Sequence, residues 1–141
     1  MASHQNQRPA AIPTGVKVFT WVLICAGLFF GYVFMFNPAL AFPGAAITDY
    51  SSRLGFYSTS VRVFGSVAAL LISVLLNRAD LLAITLVSRL VIEVGDVIVG
   101  LVIGGTMVNT FMVSVIALFE LWATLQLLKA IRNHSSNNPA H

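Results

Sequence analysis

Charge is scarce in this chain. Of 141 residues only 9% are Asp, Glu, Lys or Arg, while 57% are hydrophobic. A soluble domain carries about 25% charged residues, so this chain lacks the polar surface needed to face water on all sides. Cysteine is almost missing, Cys25 being the only one. That excludes an intrachain disulfide and paired-thiol redox chemistry, and leaves Cys25 as a small apolar helix residue. Histidine is absent from every apolar run, because His4, His134 and His141 lie in polar stretches. Bis-histidine haem, histidine-box iron and HExxH zinc sites are thereby excluded. No basic stripe interleaves with aromatics, so the formal charge of +3 does not point to nucleic acid.

What the chain does have is long apolar runs. A bilayer crossing takes about 20 apolar residues. Such runs fall at about 16–36, 58–76, 81–103 and 107–128. Residues 1–15 and 129–141 form polar tails. Residues 37–57 make a long connection with Pro38, Pro43 and Gly44, and its second half, 49–57, has the polar and aromatic mix of an interfacial stretch. Asn77-Arg78-Ala79-Asp80 and Gly104-Gly105-Thr106 are tight turns. Short turns make neighbouring spans antiparallel, so the expected fold is all-α, an integral membrane four-helix up-down bundle in one domain. Ala39-Leu40-Ala41 has a signal-peptidase pattern, but the run before it exceeds the usual 7–15 residues, so an uncleaved span is expected.

Orientation follows from the basic residues. Arg8, Lys17, Arg78, Lys129 and Arg132 fall on the side of the termini, and Arg53 lies alone on the other side. This bias places both termini in the cytosol. Trp21 and Trp122 suit the cytosolic interface, and Tyr32, Tyr50 and Tyr57 the opposite one.

Ionisable residues inside the spans stand out against this background. Arg89, Glu93 and Asp96 share one helical face at i, i+4, i+7. Each costs roughly 2.5–3.5 kcal/mol near the bilayer centre, so such groups usually face an interior or a wet cavity. At 1.5 Å per residue, Asp96 and Arg62 lie about 10 and 6 Å from the same end of their spans, and Arg89 and Glu120 lie at matching depth from the other. Two ion pairs are expected, Arg62 with Asp96 and Arg89 with Glu120, and Arg89 also reaches Glu93 one turn along its helix. Loss of Asp96 is expected to strand a buried Arg62 at a cost of several kcal/mol. Two arginines and three carboxylates leave one acid over. Glu93, nearest the midplane, is the candidate for an unpartnered acid able to give up a proton beside an Arg-held carboxylate.

Other faces are expected to pack. Gly27 and Gly31 form a GxxxG pair, and Gly65, Ala69 and Ser73 form a small-residue ladder on the Arg62 face. Asn109 either orients a polar ligand group or caps the fourth helix. Tyr57 stands at the mouth of the site or anchors the interface.

Four spans, Arg62-Val63-Phe64-Gly65 on the second and Glu93-Val94-Gly95-Asp96 on the third, resemble small DoxX-like integral membrane proteins. The pattern also looks like the small membrane proteins of fungal polyketide and meroterpenoid pathways that open epoxides or cyclise apolar chains. The resemblance implies Arg62, Glu93 and Asp96 as site residues. The expected function is a membrane acid/base enzyme that needs no cofactor or metal. Glu93, Asp96 and Arg62 would be catalytic, with Arg89, Asn109, Glu120 and Tyr57 around a lipophilic small-molecule substrate. Membrane lipid is the expected surrounding partner, and a homo-oligomer is compatible with the pattern. The alternative is a scaffold or lipid-binding subunit of a membrane complex. A proton-coupled transporter ranks third, because the first span contains no acid.

Overall fold

A computed structural model describes residues 9–40, 48–102 and 107–137, the side chains of 107–109 and 137 excepted. The described residues are helical throughout apart from connections. The order is α1 (Thr14–Phe36), a short 3-10 turn (Pro38–Leu40), α2 (Tyr50–Leu75), α3 (Ala79–Val102) and α4 (Met107–Asn137). α1, α2 and the stretch Thr110–Ser136 of α4 are each long and apolar enough to cross a bilayer. α3 is as long, with 24 residues, and carries Asp80, Arg89, Glu93 and Asp96. The Gly104–Thr106 turn lies outside the described residues.

Local chemistry sets the helix ends. α1 stops where Pro38 disfavours helical geometry at the residue before it, and Asn37 sits at φ −149°. α2 starts at Tyr50, eight residues ahead of the expected 58, because Asp49 and Ser52 form a capping box. Asp49 Oδ1 accepts the Ser52 N–H at 2.7 Å, and Ser52 Oγ accepts the Asp49 N–H at 3.2 Å. The Ser52 amide on this carboxylate holds the Asp49 pKa below its ordinary value. The expected interfacial stretch is thus the first two turns of α2.

α2 ends in a Schellman motif. The Arg78 N–H donates to Ser73 O at 3.2 Å and the Asn77 N–H to Val74 O at 3.0 Å. Asn77 takes the required left-handed turn at φ 49°, a conformation that asparagine tolerates better than most residues. The Ala79 N–H then donates to Ala10 O at 3.0 Å, which straps the segment before α1 against the turn. α4 runs nine residues beyond the expected 128, so Lys129 to Asn137 is helix rather than tail.

Packing is uneven along the helices. The buried apolar residues are Ile12, Val16, Leu23 and Ile24, then Val67, Leu70 and Val74, then Ala79, Leu82, Ala83 and Leu86, and finally Ala123 and Leu127. All four helices therefore close around a core at the end that carries the 77–79 turn. Phe19 meets Phe119 and Trp122 there, joining α1 to α4. Towards the other end α1 and α2 stay together. Ser60 Oγ donates to Gly31 O at 2.6 Å, and Gly27 and Gly31 lie close under Val67 and Phe64. The GxxxG face is therefore a packing seam on α2. Beyond Leu86, by contrast, α3 has no fully buried residue. Outward side chains such as Phe29, Val91, Ile98, Leu101 and Phe111 are apolar and more than half exposed, a surface of the kind that meets a membrane or another protein.

Candidate functional site

The polar residues sit where the closed half gives way to the open half. Arg89 is the hub. Its Nε donates to Glu120 Oε1 at 2.6 Å, its Nη1 to Ser66 Oγ at 2.9 Å and its Nη2 to Glu93 Oε1 at 3.1 Å. One guanidinium thus ties α2, α3 and α4. A planar fork with donors in several directions can do this, and an ammonium cannot match its geometry. Further out, Arg62 Nη2 donates to Asp96 Oδ2 at 3.2 Å and to Oδ1 at 3.4 Å.

Burial rises along this ladder. The Arg62 and Asp96 side chains are 47% and 44% exposed, Arg89 and Glu93 are 14% and 17%, and Glu120 is 0%. The sequence places both expected ion pairs correctly, with two corrections to their character. The Arg62–Asp96 pair is a half-exposed mouth rather than an interior lock. Glu93 is not the acid without a partner, since Arg89 holds it. The orphan is one atom of Glu120, the buried Oε2, which has no hydrogen-bond partner among the described residues. Charge counting gives the right surplus but cannot say which oxygen carries it. One guanidinium with three donor edges can serve two acids and still leave an oxygen over.

A cavity of about 280 Å³ opens between α2 and α3. Arg62, Ser66 and Ala69 line it from α2, and Ile84, Thr85, Ser88, Arg89 and Ile92 line it from α3. Glu93 and Asp96 do not line it; each holds an arginine that does. Tyr57 is exposed and takes no part in the lining. The side chain of Asn109 lies outside the described residues. The Arg62 face continues through Ser66, Ala69 and Ser73, at i+4, i+7 and i+11. Gly65, at i+3, has open space around it and does not pack.

Sequence reasoning missed Ser66, Thr85 and Ser88. The signal for Ser66 was available, one turn on from Arg62. Ser88 stands beside Arg89 in sequence, and only the α2–α3 gap gives that position meaning.

No family model matches the chain, and no curated protein and no solved structure matches it.

Proposed function

We propose that this chain is an integral membrane protein, an up-down four-helix bundle with both termini cytosolic. Its Arg-held carboxylates would perform acid/base chemistry on an oxygen-bearing lipophilic substrate. The most specific form of this reading is opening of an epoxide by water, or cyclisation through an internal hydroxyl. Glu93 gives a proton to the epoxide oxygen as the C–O bond breaks. Asp96 takes the proton of the attacking hydroxyl as the new C–O bond forms. The two acids then exchange their proton with water at the mouth to reset the site. Neither acid lines the α2–α3 cavity, so in this reading the oxygen lies at its edge, against the Arg62 and Arg89 guanidiniums that Asp96 and Glu93 hold.

The observation that carries the reading is the ladder itself. It holds three carboxylates against two guanidiniums, with burial rising from the half-exposed mouth to Glu120. Arginines stay charged, so apolar surroundings favour one bound proton among the three acids, and a proton held that way is available for transfer. The choice of epoxides and polyketide- or terpenoid-like chains rests on the resemblance described above.

One observation favours a second reading, a non-catalytic scaffold or lipid-binding subunit. Arg89 joins three helices through Ser66, Glu93 and Glu120, which is what a structural clasp does. Turnover separates the two. An enzyme converts long-chain epoxides to diols or cyclic ethers and loses this with Glu93→Gln or Asp96→Asn, both still folded. A clasp shows no turnover that depends on either acid.

A further inference from the structure

The α2–α3 cavity carries hydrogen-bond donors that nothing in the described structure uses. Five hydroxyls in the bundle, those of Thr20 on α1, Ser73 on α2, Thr85 on α3, and Ser114 and Thr124 on α4, fold back onto the carbonyl four residues earlier in their own helix. Two serines in the cavity lining do not. Ser66 Oγ accepts from Arg89, and its own proton has no acceptor among the described residues. Ser88 has no hydrogen bond there at all, although it faces the same space. Arg89 commits three of its N–H groups out of the five a guanidinium has. Arg62 commits only Nη2. A hydroxyl without a partner is costly in hydrocarbon, where no water supplies one.

Both cations, in contrast, are already paired. Arg62 faces Asp96, and Arg89 faces Glu93 and Glu120. An added anion would meet three carboxylates just behind the two arginines, at the low dielectric that strengthens repulsion. The cavity therefore offers spare donors and does not lack negative charge. Its other walls, Ala69, Ile84 and Ile92, are apolar, and Ile84 is 66% exposed, so the space opens sideways past it. Liquid water occupies about 30 Å³ per molecule, so 280 Å³ holds a small polar group with a short length of chain.

We propose that the α2–α3 cavity is a binding site for an uncharged acceptor oxygen on a hydrocarbon chain. The oxygen is a ketone, ester, ether or epoxide oxygen, held by Ser66, Ser88, Arg89 and Arg62, and the chain leaves laterally past Ile84. This deepens the functional reading above by naming the polarity and charge of its substrate, and it relies on that reading only for the membrane setting. The oxygen has two possible sources, a free oxygenated lipophile or the ester carbonyl of a bilayer lipid.

The test uses the full chain in nanodiscs, with 2-hexadecanone labelled at the carbonyl carbon, hexadecane and hexadecanoate as probes. The ketone carbonyl stretch falls on binding relative to empty discs, and the ketone binds at least tenfold tighter than the alkane or the carboxylate. Ser66→Ala with Ser88→Ala weakens the ketone about tenfold, and leaves the alkane unchanged. Ala69→Leu, which fills the cavity, removes binding of the ketone. A shifted ester band from carbonyl-labelled phosphatidylcholine, lost in the same variants, assigns the bilayer lipid as the occupant and upholds the donor site. Equal affinity for all three probes, a preference for the carboxylate, or ketone binding indifferent to both serines in a folded protein overturns the proposal. Ketone binding without epoxide turnover leaves this inference standing and removes the acid/base reading. Turnover with binding indifferent to the serines does the reverse.

Discussion

Replacing Arg89 with leucine should be among the most damaging single changes in the molecule. It deletes the bonds to Glu120, Ser66 and Glu93 and leaves the Glu120 side chain, 0% exposed, with no cation. Breaking a buried pair by removing one partner costs about 3–5 kcal/mol, most of it from the stranded charge. On the scale of soluble domains of similar size that is a loss of roughly 10–20 °C in Tm. Arg89→Leu combined with Glu120→Leu removes both charges. Apolar replacement of a whole buried pair is often neutral or better, so the double variant should recover most of the loss. The assay is thermal unfolding of purified protein in one detergent, for the wild type, both single variants and the double. The expected coupling is about 2–4 kcal/mol, since Ser66 and Glu93 lose their donor in either background. Coupling below about 0.5 kcal/mol, so that the losses of the two single variants simply add in the double, would refute the reasoning that Arg89 neutralises a buried Glu120.

Three further outcomes are expected. Gly27→Val should destabilise by about 1–3 kcal/mol through overpacking against Val67, whereas Gly65→Ala, in open space, should stabilise by about 0.5–1 kcal/mol; both are read from unfolding midpoints. The capping carboxylate of Asp49 has a lowered pKa in the folded chain, so its contribution is present above the ordinary carboxylate range and lost as pH falls through the folded value. Amide exchange at Ser51 and Ser52, corrected for intrinsic rates, should therefore speed up on acidification in the wild type and be fast and insensitive to that titration in Asp49→Ala. In a Cys25→Ser background, Ala45→Cys should react with an impermeant thiol reagent from the side away from the cytosol and Ser135→Cys from the cytosolic side; the reverse pattern would invert the proposed orientation.

Apolar runs made much of the fold legible, because a span of about 20 residues is a length requirement that sequence shows directly. Helix ends were less legible where polar chemistry extends a helix past its apolar run. The Asp49–Ser52 capping box carries α2 back to Tyr50, and α4 continues through Lys129 and Arg132, since solvated helix needs no apolar face to persist behind a packed one. Depth matching found Arg62 with Asp96 and Arg89 with Glu120, because rise per residue converts directly into height. Height says nothing about rotation or splay. The donor-lined gap at Ser66 and Ser88 depends on how α3 stands from α2 beyond Leu86, and the orphaned Glu120 Oε2 on how the Arg89 donors are shared, which are properties of packing and not of spacing.

The central claim is that the acids of the ladder move protons for a substrate rather than merely hold helices together. The most direct measurement is incorporation of ¹⁸O from labelled water into the diol formed from a long-chain epoxide by purified protein in nanodiscs, wild type against Glu93→Gln at matched thermal stability. The account predicts labelled diol from the wild type, and a loss of at least a hundredfold in rate for Glu93→Gln, in line with the contribution of general acid catalysis. Labelled diol formed at the same rate by both proteins, or by neither, would contradict it.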